Sequence, residues 1–160
     1  MLASQSPRRH QLLSSIGLEF DVRPADVDES PRAGESPIAY VERIARAKAD
    51  AVAASVDVQT GAVVVLAADT TVAIDGEILG KPIDDDDARR MLGLLSDTTH
   101  QVHTAVVGHT DGDVHEVTVT TAVTFARLGE QGIEWYLENV QGAKGLDRLP
   151  YHIEQAISEG

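Results

Sequence analysis

The chain has 160 residues, with 26 acids against 13 bases, six histidines and no cysteine. That length suits one domain with a core of its own. The lack of cysteine removes disulfides and thiolate chemistry, and a net charge of −13 argues against a nucleic-acid-binding surface. No apolar run approaches a membrane span and no signal-peptide pattern opens the chain, so a cytoplasmic protein without membrane contacts is expected. The bases are ten arginines and three lysines, Lys48, Lys81 and Lys144. Acid excess with so little lysine suits a surface hydrated in high salt, the expectation for a halophile; a moderately acidic mesophile is the alternative.

In chain order, Leu2-Ala3 reads as the end of a short strand. Ser4-Gln5-Ser6-Pro7-Arg8-Arg9 follows and opens a helix over His10 to Ile16, with Leu12, Leu13 and Ile16 on one face. Ser6 is suited to the N-cap, Pro7 to the first helical position and Gly17 to the exit. Hydroxyls and guanidiniums at the positive end of a helix suit an anion, phosphate in particular. A capped helix with solvated arginines is the plainer reading, but cations there need an anion to offset them. Phe20 to Arg23 reads as a short strand. Pro24 to Pro37 is an acidic loop with Asp26, Asp28, Glu29 and Glu35, one of which could hold a divalent metal. Ser36-Pro37 starts a long helix, Ile38 to Ser55. Lys48 lies on or beside its apolar stripe, either reaching out to solvent or pointing into a site.

Val63 to Ala68 is a β-branched apolar run of strand length, the pattern of a strand buried on both faces in a mostly parallel sheet. It is expected to stop at Asp69-Thr70-Thr71, at the carboxyl edge where ligands bind in open α/β sheets. Asp75-Gly76 signals a two-residue hairpin. Its return, Glu77-Ile78-Leu79, delivers Gly80-Lys81-Pro82 and could carry Lys81 back towards Asp69. A carboxylate and an ammonium paired around an anion is one reading; a surface salt bridge beside a turn is the other. Asp84 to Asp87 suit a helix start better than a metal box, leading into Ala88 to Leu95. Thr99 to Gly108 and Val114 to Leu128 read as an antiparallel hairpin turning at Asp111-Gly112. His100 and His103, three apart on a strand, face opposite sides. Glu130 to Glu138 is a last short helix.

Ala3-Ser4-Gln5-Ser6-Pro7-Arg8-Arg9 with Leu12-Leu13, Asp28-Glu29, Ala47-Lys48-Ala49, Ala68-Asp69-Thr70 and Gly80-Lys81-Pro82 occur in an order that resembles the Maf family. These are nucleoside triphosphate pyrophosphatases, also called septum formation inhibitor proteins. The resemblance covers residues 1–138. It implies an α/β fold, a mixed twisted sheet flanked by helices, of the type shared with inosine triphosphatases. Arg8 after Ser-Pro and Thr70 after Asp69 resemble the branch acting on dTTP and UTP. Residues 139–160 form a divergent tail that departs from the family pattern, so its closing strand and helix are expected to be missing.

The activity implied is metal-assisted hydrolysis of the α–β anhydride, giving a nucleoside monophosphate and pyrophosphate and cleansing the nucleotide pool. The resemblance makes Asp69 a general base or metal ligand, with Glu29 the second carboxylate for Mg²⁺ or Mn²⁺. It assigns Lys48 and Lys81, with Arg8, to the phosphates. Ser4, Ser6 and Arg9 would hold the triphosphate, and Thr70 would help read the base. Nucleotide is the expected partner, with self-association into a homodimer expected if the tail leaves a sheet edge uncovered. The alternative is a non-catalytic, nucleotide-binding regulator of cell division acting through a protein partner.

Overall fold

The element that organises the fold is a hairpin that the sequence spells out. In the computed structural model, which describes residues 1–56, 63–110 and 113–138, strand β1 (Val65–Ile74) turns at Asp75-Gly76 into β2 (Glu77–Leu79). Val72 pairs with Leu79, Ala73 with Ile78 and Ile74 with Glu77, antiparallel. Both turn residues have positive φ, 50° and 84°, the backbone that a tight hairpin turn requires and that aspartate and glycine tolerate. The other elements are α1 (Pro7–Ser15), α2 (Pro37–Ala53), α3 (Asp85–Leu95), β3 (Thr99–His109), β4 (Val114–Thr124) and α4 (Glu130–Tyr136). The expectations for Asp111-Gly112 and for the divergent tail, residues 139–160, lie outside the described residues.

The four strands are ordered β2-β1-β3-β4. Thr99 faces Thr124 and His103 faces Thr120 through side-chain hydrogen bonds, so β3 and β4 also run antiparallel. Among the described residues, parallel pairing is seen at two bridges outside the strands, Leu2 to Val22 and Leu2 to Leu66. The sheet is mixed, as expected, but it is not mostly parallel. Of the apolar run, Val65, Ala67 and Ala68 are buried and Leu66 is half-buried, but Val64 is exposed, so burial on both faces holds only in part; burial alone does not set the direction of a neighbouring strand.

Packing divides the chain into two units. The first comprises Met1–Asp69 and Thr104–Val119. Here the Met1 carbonyl accepts from Leu66 N at 2.9 Å and Ala3 N donates to Leu66 O at 2.8 Å, while Leu2 N donates to Asp21 O at 2.8 Å. The first residues therefore run alongside β1, and the two short strands expected at Leu2 and Phe20 to Arg23 are reduced to single bridges. Helix α2 starts as its sequence dictates: Ser36 Oγ accepts from Ala39 N at 3.2 Å, with Pro37 at the first position. Tyr40, Val41, Ile44, Ala45, Ala49 and Val52 form its buried stripe. Its polar positions are used too: Glu42 accepts from Thr118 Oγ1 at 2.8 Å and Arg46 pairs with Glu116. Helix α1 is different. None of its residues is buried, and Leu12 and Ile16 are exposed, so the expected apolar face is left in solvent.

The second unit comprises Thr70–His103 and the residues from Thr120 on. Asp84 Oδ1 accepts from Asp87 N at 2.8 Å, and three further aspartates sit in the first turn of α3. The four-aspartate run is thus a helix start matched to the dipole. Ala88, Met91, Leu92 and Leu95 pack with Val72, Ile74, Leu79, Val102 and Leu137. Truncating Leu92 or Leu95 to alanine should cost about 2–5 kcal/mol. Arg89 ties α3 to Glu134 of α4 at 2.7 Å. His100 and His103 are both buried. Nδ1 of His103 shares a 2.8 Å hydrogen bond with Thr120 Oγ1, and His100 meets Phe125 edge-on at 5.0 Å.

Candidate active site

The first unit gathers a group of polar side chains on an otherwise apolar framework. Helix α2 contributes Lys48, flanked by Ala47 and Ala49, whose short side chains leave its stem room. Strand β1 contributes Asp69 and the loop before α2 contributes Glu29. Lys48 Nζ donates to Asp69 Oδ1 at 2.7 Å and stands 2.7 Å from Glu29 Oε1. The Lys48 and Asp69 side chains are each 12% exposed, Glu29 42%. One ammonium is therefore shared by two carboxylates, one nearly enclosed and one open to solvent. Burial pushes the Asp69 carboxyl above its usual range; Lys48 and, more weakly, Arg9 pull it down, and Glu29 pushes it up again. A carboxylate so placed is a stronger base than one in water.

Asp69 is the fifth residue of ten in β1, not the end of the strand as its sequence context suggested. Val65 to Ala68 are followed by Thr70, Thr71 and Val72, all good strand formers. With Lys48 balancing its charge, Asp69 does not interrupt the strand.

A second group stands next to it. Arg9 Nη1 donates to Ala68 O at 3.0 Å and to Ser4 Oγ at 3.3 Å, and Ser6 N donates to Ser4 Oγ at 3.2 Å. Ser4 is buried. Ser6 occupies the N-cap position of α1, but its side chain makes no cap bond, so the expected hydroxyl cap is not formed. Ser4 Oγ takes the Ser6 amide instead. Helix α1 is held through Arg9 and this turn, which explains why its apolar residues need not be buried. Arg8 lies half-buried in the first turn.

Of the residues expected at the site, the first unit holds Ser4, Ser6, Arg8, Arg9, Glu29, Lys48 and Asp69. Thr70 and Lys81 belong to the second unit. There β2 ends at Leu79; continuing its register with β1 would set exposed Lys81 opposite Thr70. Two residues of the site were not foreseen. Tyr40, which reads as one more apolar position of the α2 stripe, donates from its hydroxyl to Glu29 O at 2.9 Å. Arg43, which reads as a solvated charge, donates from Nη2 to Ser30 O at 3.0 Å. The only signal for them was their spacing of three on a helix that follows an acidic loop.

The model of the family described as Maf-like protein matches residues 1–150. The chain belongs to the Maf family. A protein of Anaeromyxobacter dehalogenans (strain 2CP-1) is 50% identical over 141 residues, covering 86% of this chain and 69% of its own. One from Anaeromyxobacter sp. (strain Fw109-5) is 49% identical over 162 aligned positions, 98% of this chain and 74% of its own. A third, from Hahella chejuensis (strain KCTC 2396), is 44% identical over 154, covering 93% and 76%. Each is named dTTP/UTP pyrophosphatase. Of the segments that carry the resemblance, Ser4 to Arg9, Asp28-Glu29, Ala47-Lys48-Ala49 and Ala68-Asp69 lie in the first unit, and Thr70 and Gly80-Lys81-Pro82 in the second.

The Maf resemblance implies a divalent cation, and the donor set can be tested against it. Two carboxylates converge, and among the described residues no group of three or more histidines, aspartates or glutamates assembles. A cage made of protein ligands alone does not fit. A cation that takes one or two carboxylates and completes its shell with phosphate oxygens and water, as magnesium does, fits Glu29 and Asp69.

Proposed function

We propose that this chain hydrolyses nucleoside triphosphates, dTTP and UTP foremost, to a nucleoside monophosphate and pyrophosphate. The observation that carries the reading is the sharing of the Lys48 ammonium between Asp69 and Glu29 at 2.7 Å each. Its support from relatives is the name dTTP/UTP pyrophosphatase on proteins 44–50% identical.

In this proposal Asp69 takes a proton from the attacking water, whose oxygen bonds to the α-phosphorus. The α–β bridging bond breaks and pyrophosphate leaves with its electrons. The raised pKa of Asp69 suits that proton transfer. Lys48, with Lys81 and Arg8, is proposed to neutralise the negative charge that develops on the phosphates. Arg9 fixes Ser4, so the Ser4 hydroxyl and the amides at the start of α1 are pre-arranged for phosphate oxygens; Ser6 joins that set and Thr70 contacts the base. Glu29 and Asp69 would hold Mg²⁺ or Mn²⁺, which when bound supplies charge neutralisation on the phosphates.

The cellular role proposed is removal of unwanted nucleotides in the cytoplasm. No helix among the described residues is long and apolar enough to cross a membrane. Self-association into a homodimer is proposed on the exposure of Val117 and Val119 along β4, the last strand in the sheet order. The acid excess is read as an adaptation to high salt.

The test is pyrophosphate release across a panel of nucleoside triphosphates with Mg²⁺ and with Mn²⁺. Turnover of dTTP and UTP above the other nucleotides is expected. Binding without turnover of any of them would contradict the proposal.

A further inference from the structure

We propose that Tyr40 and Arg43 are positioning residues that hold the acidic loop against α2 so that the Glu29 carboxylate reaches Lys48. The inference rests on the reading of Glu29 as a working carboxylate of the site.

The loop from Pro24 to Ser36 has no fully buried residue, and of its apolar side chains only Ala25 and Val27 are half-buried, so apolar packing alone does not fix it. What fixes it is polar and comes from one face of α2. Tyr40 and Arg43, three apart on the helix, take two consecutive carbonyls of the loop, Glu29 O at 2.9 Å and Ser30 O at 3.0 Å. Arg43 is itself set by a two-pronged pair with Glu35, Nε to Oε1 at 2.6 Å and Nη2 to Oε2 at 2.7 Å. Glu35 Oε2 also accepts from Arg32 N at 3.0 Å, and Asp28 Oδ1 accepts from Ser30 N at 2.9 Å. The Arg43 guanidinium lies over the Tyr40 ring at 5.6 Å, so each donor limits the freedom of the other.

Tyr40 and Lys48 are two helical turns apart on the same stripe. One helix therefore grips Glu29 twice, by its carbonyl at Tyr40 and by its carboxylate at Lys48. The main-chain grip does not depend on what the carboxylate does. When substrate draws the carboxylate from Lys48, the loop stays in place and no ordering cost is incurred again at that step. Burial, followed by the Asp69 and Glu29 charges, pushes the Tyr40 phenol up to about 12, so it remains a donor throughout the neutral range.

The experiment combines hydrogen exchange of residues 28–35 with a double-mutant cycle on the full chain. Tyr40→Phe keeps the ring and removes the hydroxyl; Arg43→Gln removes the fork; Glu29→Gln removes the charge that is positioned. Exchange over 28–35 is expected to rise in Tyr40→Phe and Arg43→Gln while exchange in α3 and β3 stays as it was. With UTP, kcat should fall about tenfold in Tyr40→Phe with KM changed less than about twofold. In the Glu29→Gln background the same substitution should cost nothing further, since the residue it acts through is gone. Unchanged exchange over 28–35 would overturn the clamp. An equal loss of kcat with and without Glu29 would show that Tyr40 serves the fold rather than Glu29. If the unmutated chain turns over no nucleotide, it is the proposed function that fails, and exchange alone decides whether the clamp exists.

Discussion

Lys48 in α2 donates to Asp69 in the middle of β1 at 2.7 Å, and the two side chains are equally enclosed. An aspartate in a strand interior is tolerated here because a lysine comes to meet it. Each explains the other's place. Removing one partner of such a pair leaves a charge with little water around it, the costly case for buried ions.

Lys48→Met should therefore destabilise the fold by about 2–4 kcal/mol at neutral pH. The Asp69 carboxyl already lies above its usual range because of burial, and without Lys48 it rises further. Once protonated, Asp69 no longer needs a cation, so the loss should shrink as pH falls through that raised value. Urea melts of both chains between pH 8 and pH 4 would show it. A loss independent of pH would mean that Lys48 stabilises by packing alone.

Glu35 gives a second pH dependence, set in a lower range. Its hydrogen bonds from Arg43 hold it down at about 2, below its ordinary 4.5. A depressed carboxylate stabilises fully above the unfolded value and ceases to do so as pH falls through the folded one. The difference between the unmutated chain and Glu35→Gln should be constant above about pH 5 and vanish as pH falls from 4.5 towards 2. It is read from denaturant midpoints at each pH. A difference that persists at pH 2 would place its cause elsewhere than in the ion pair.

The fold was legible where local chemistry decides it. Asp75-Gly76 forms the turn it signals, Ser36-Pro37 starts α2, and Asp84 caps α3. The site was legible as a set of types: Lys48 does point inward, and of the acids in the loop, Glu29 does reach it. What could not be read was long-range. The sequence marks Asp69 as a break because it cannot show that Lys48, 21 residues earlier, balances it. Tyr40 reads as a core residue because its ring is one; only its hydroxyl belongs to the loop. Leu12 and Ile16 predict a buried face on α1, yet that helix is anchored by Arg9 on Ala68 O. A periodic pattern states which side is apolar, not whether anything covers it.

His100 supplies a third prediction. Its ring is buried, and neither nitrogen has a hydrogen-bond partner of good geometry among the described residues. Burial pushes the imidazole down, and the Thr98 backbone offsets this only in part. The unfolded chain therefore takes up a proton near 6.5 that the folded chain resists, and stability falls as pH drops below that value. His100→Leu should remove this slope and be relatively more stable at pH 5 than at pH 8. Parallel melting curves for the two chains between pH 8 and pH 5 would refute the assignment.

The surface charge makes a fourth. With 26 acids against 13 bases, self-repulsion is strong in dilute buffer and screened in high salt. Tm should rise markedly from dilute buffer to molar potassium chloride, followed by circular dichroism at constant pH. A flat response would remove the case for a high-salt surface.

The central claim is that Asp69 activates the water that splits the triphosphate. Its most direct test is the rate of pyrophosphate release from UTP by the unmutated chain and by Asp69→Asn, with UTP affinity measured alongside by calorimetry. The substitution keeps the shape of the side chain and removes its basicity. The rate should fall by at least about 100-fold, with affinity changed by no more than a few fold. An Asp69→Asn chain that releases pyrophosphate at the unmutated rate would contradict the account.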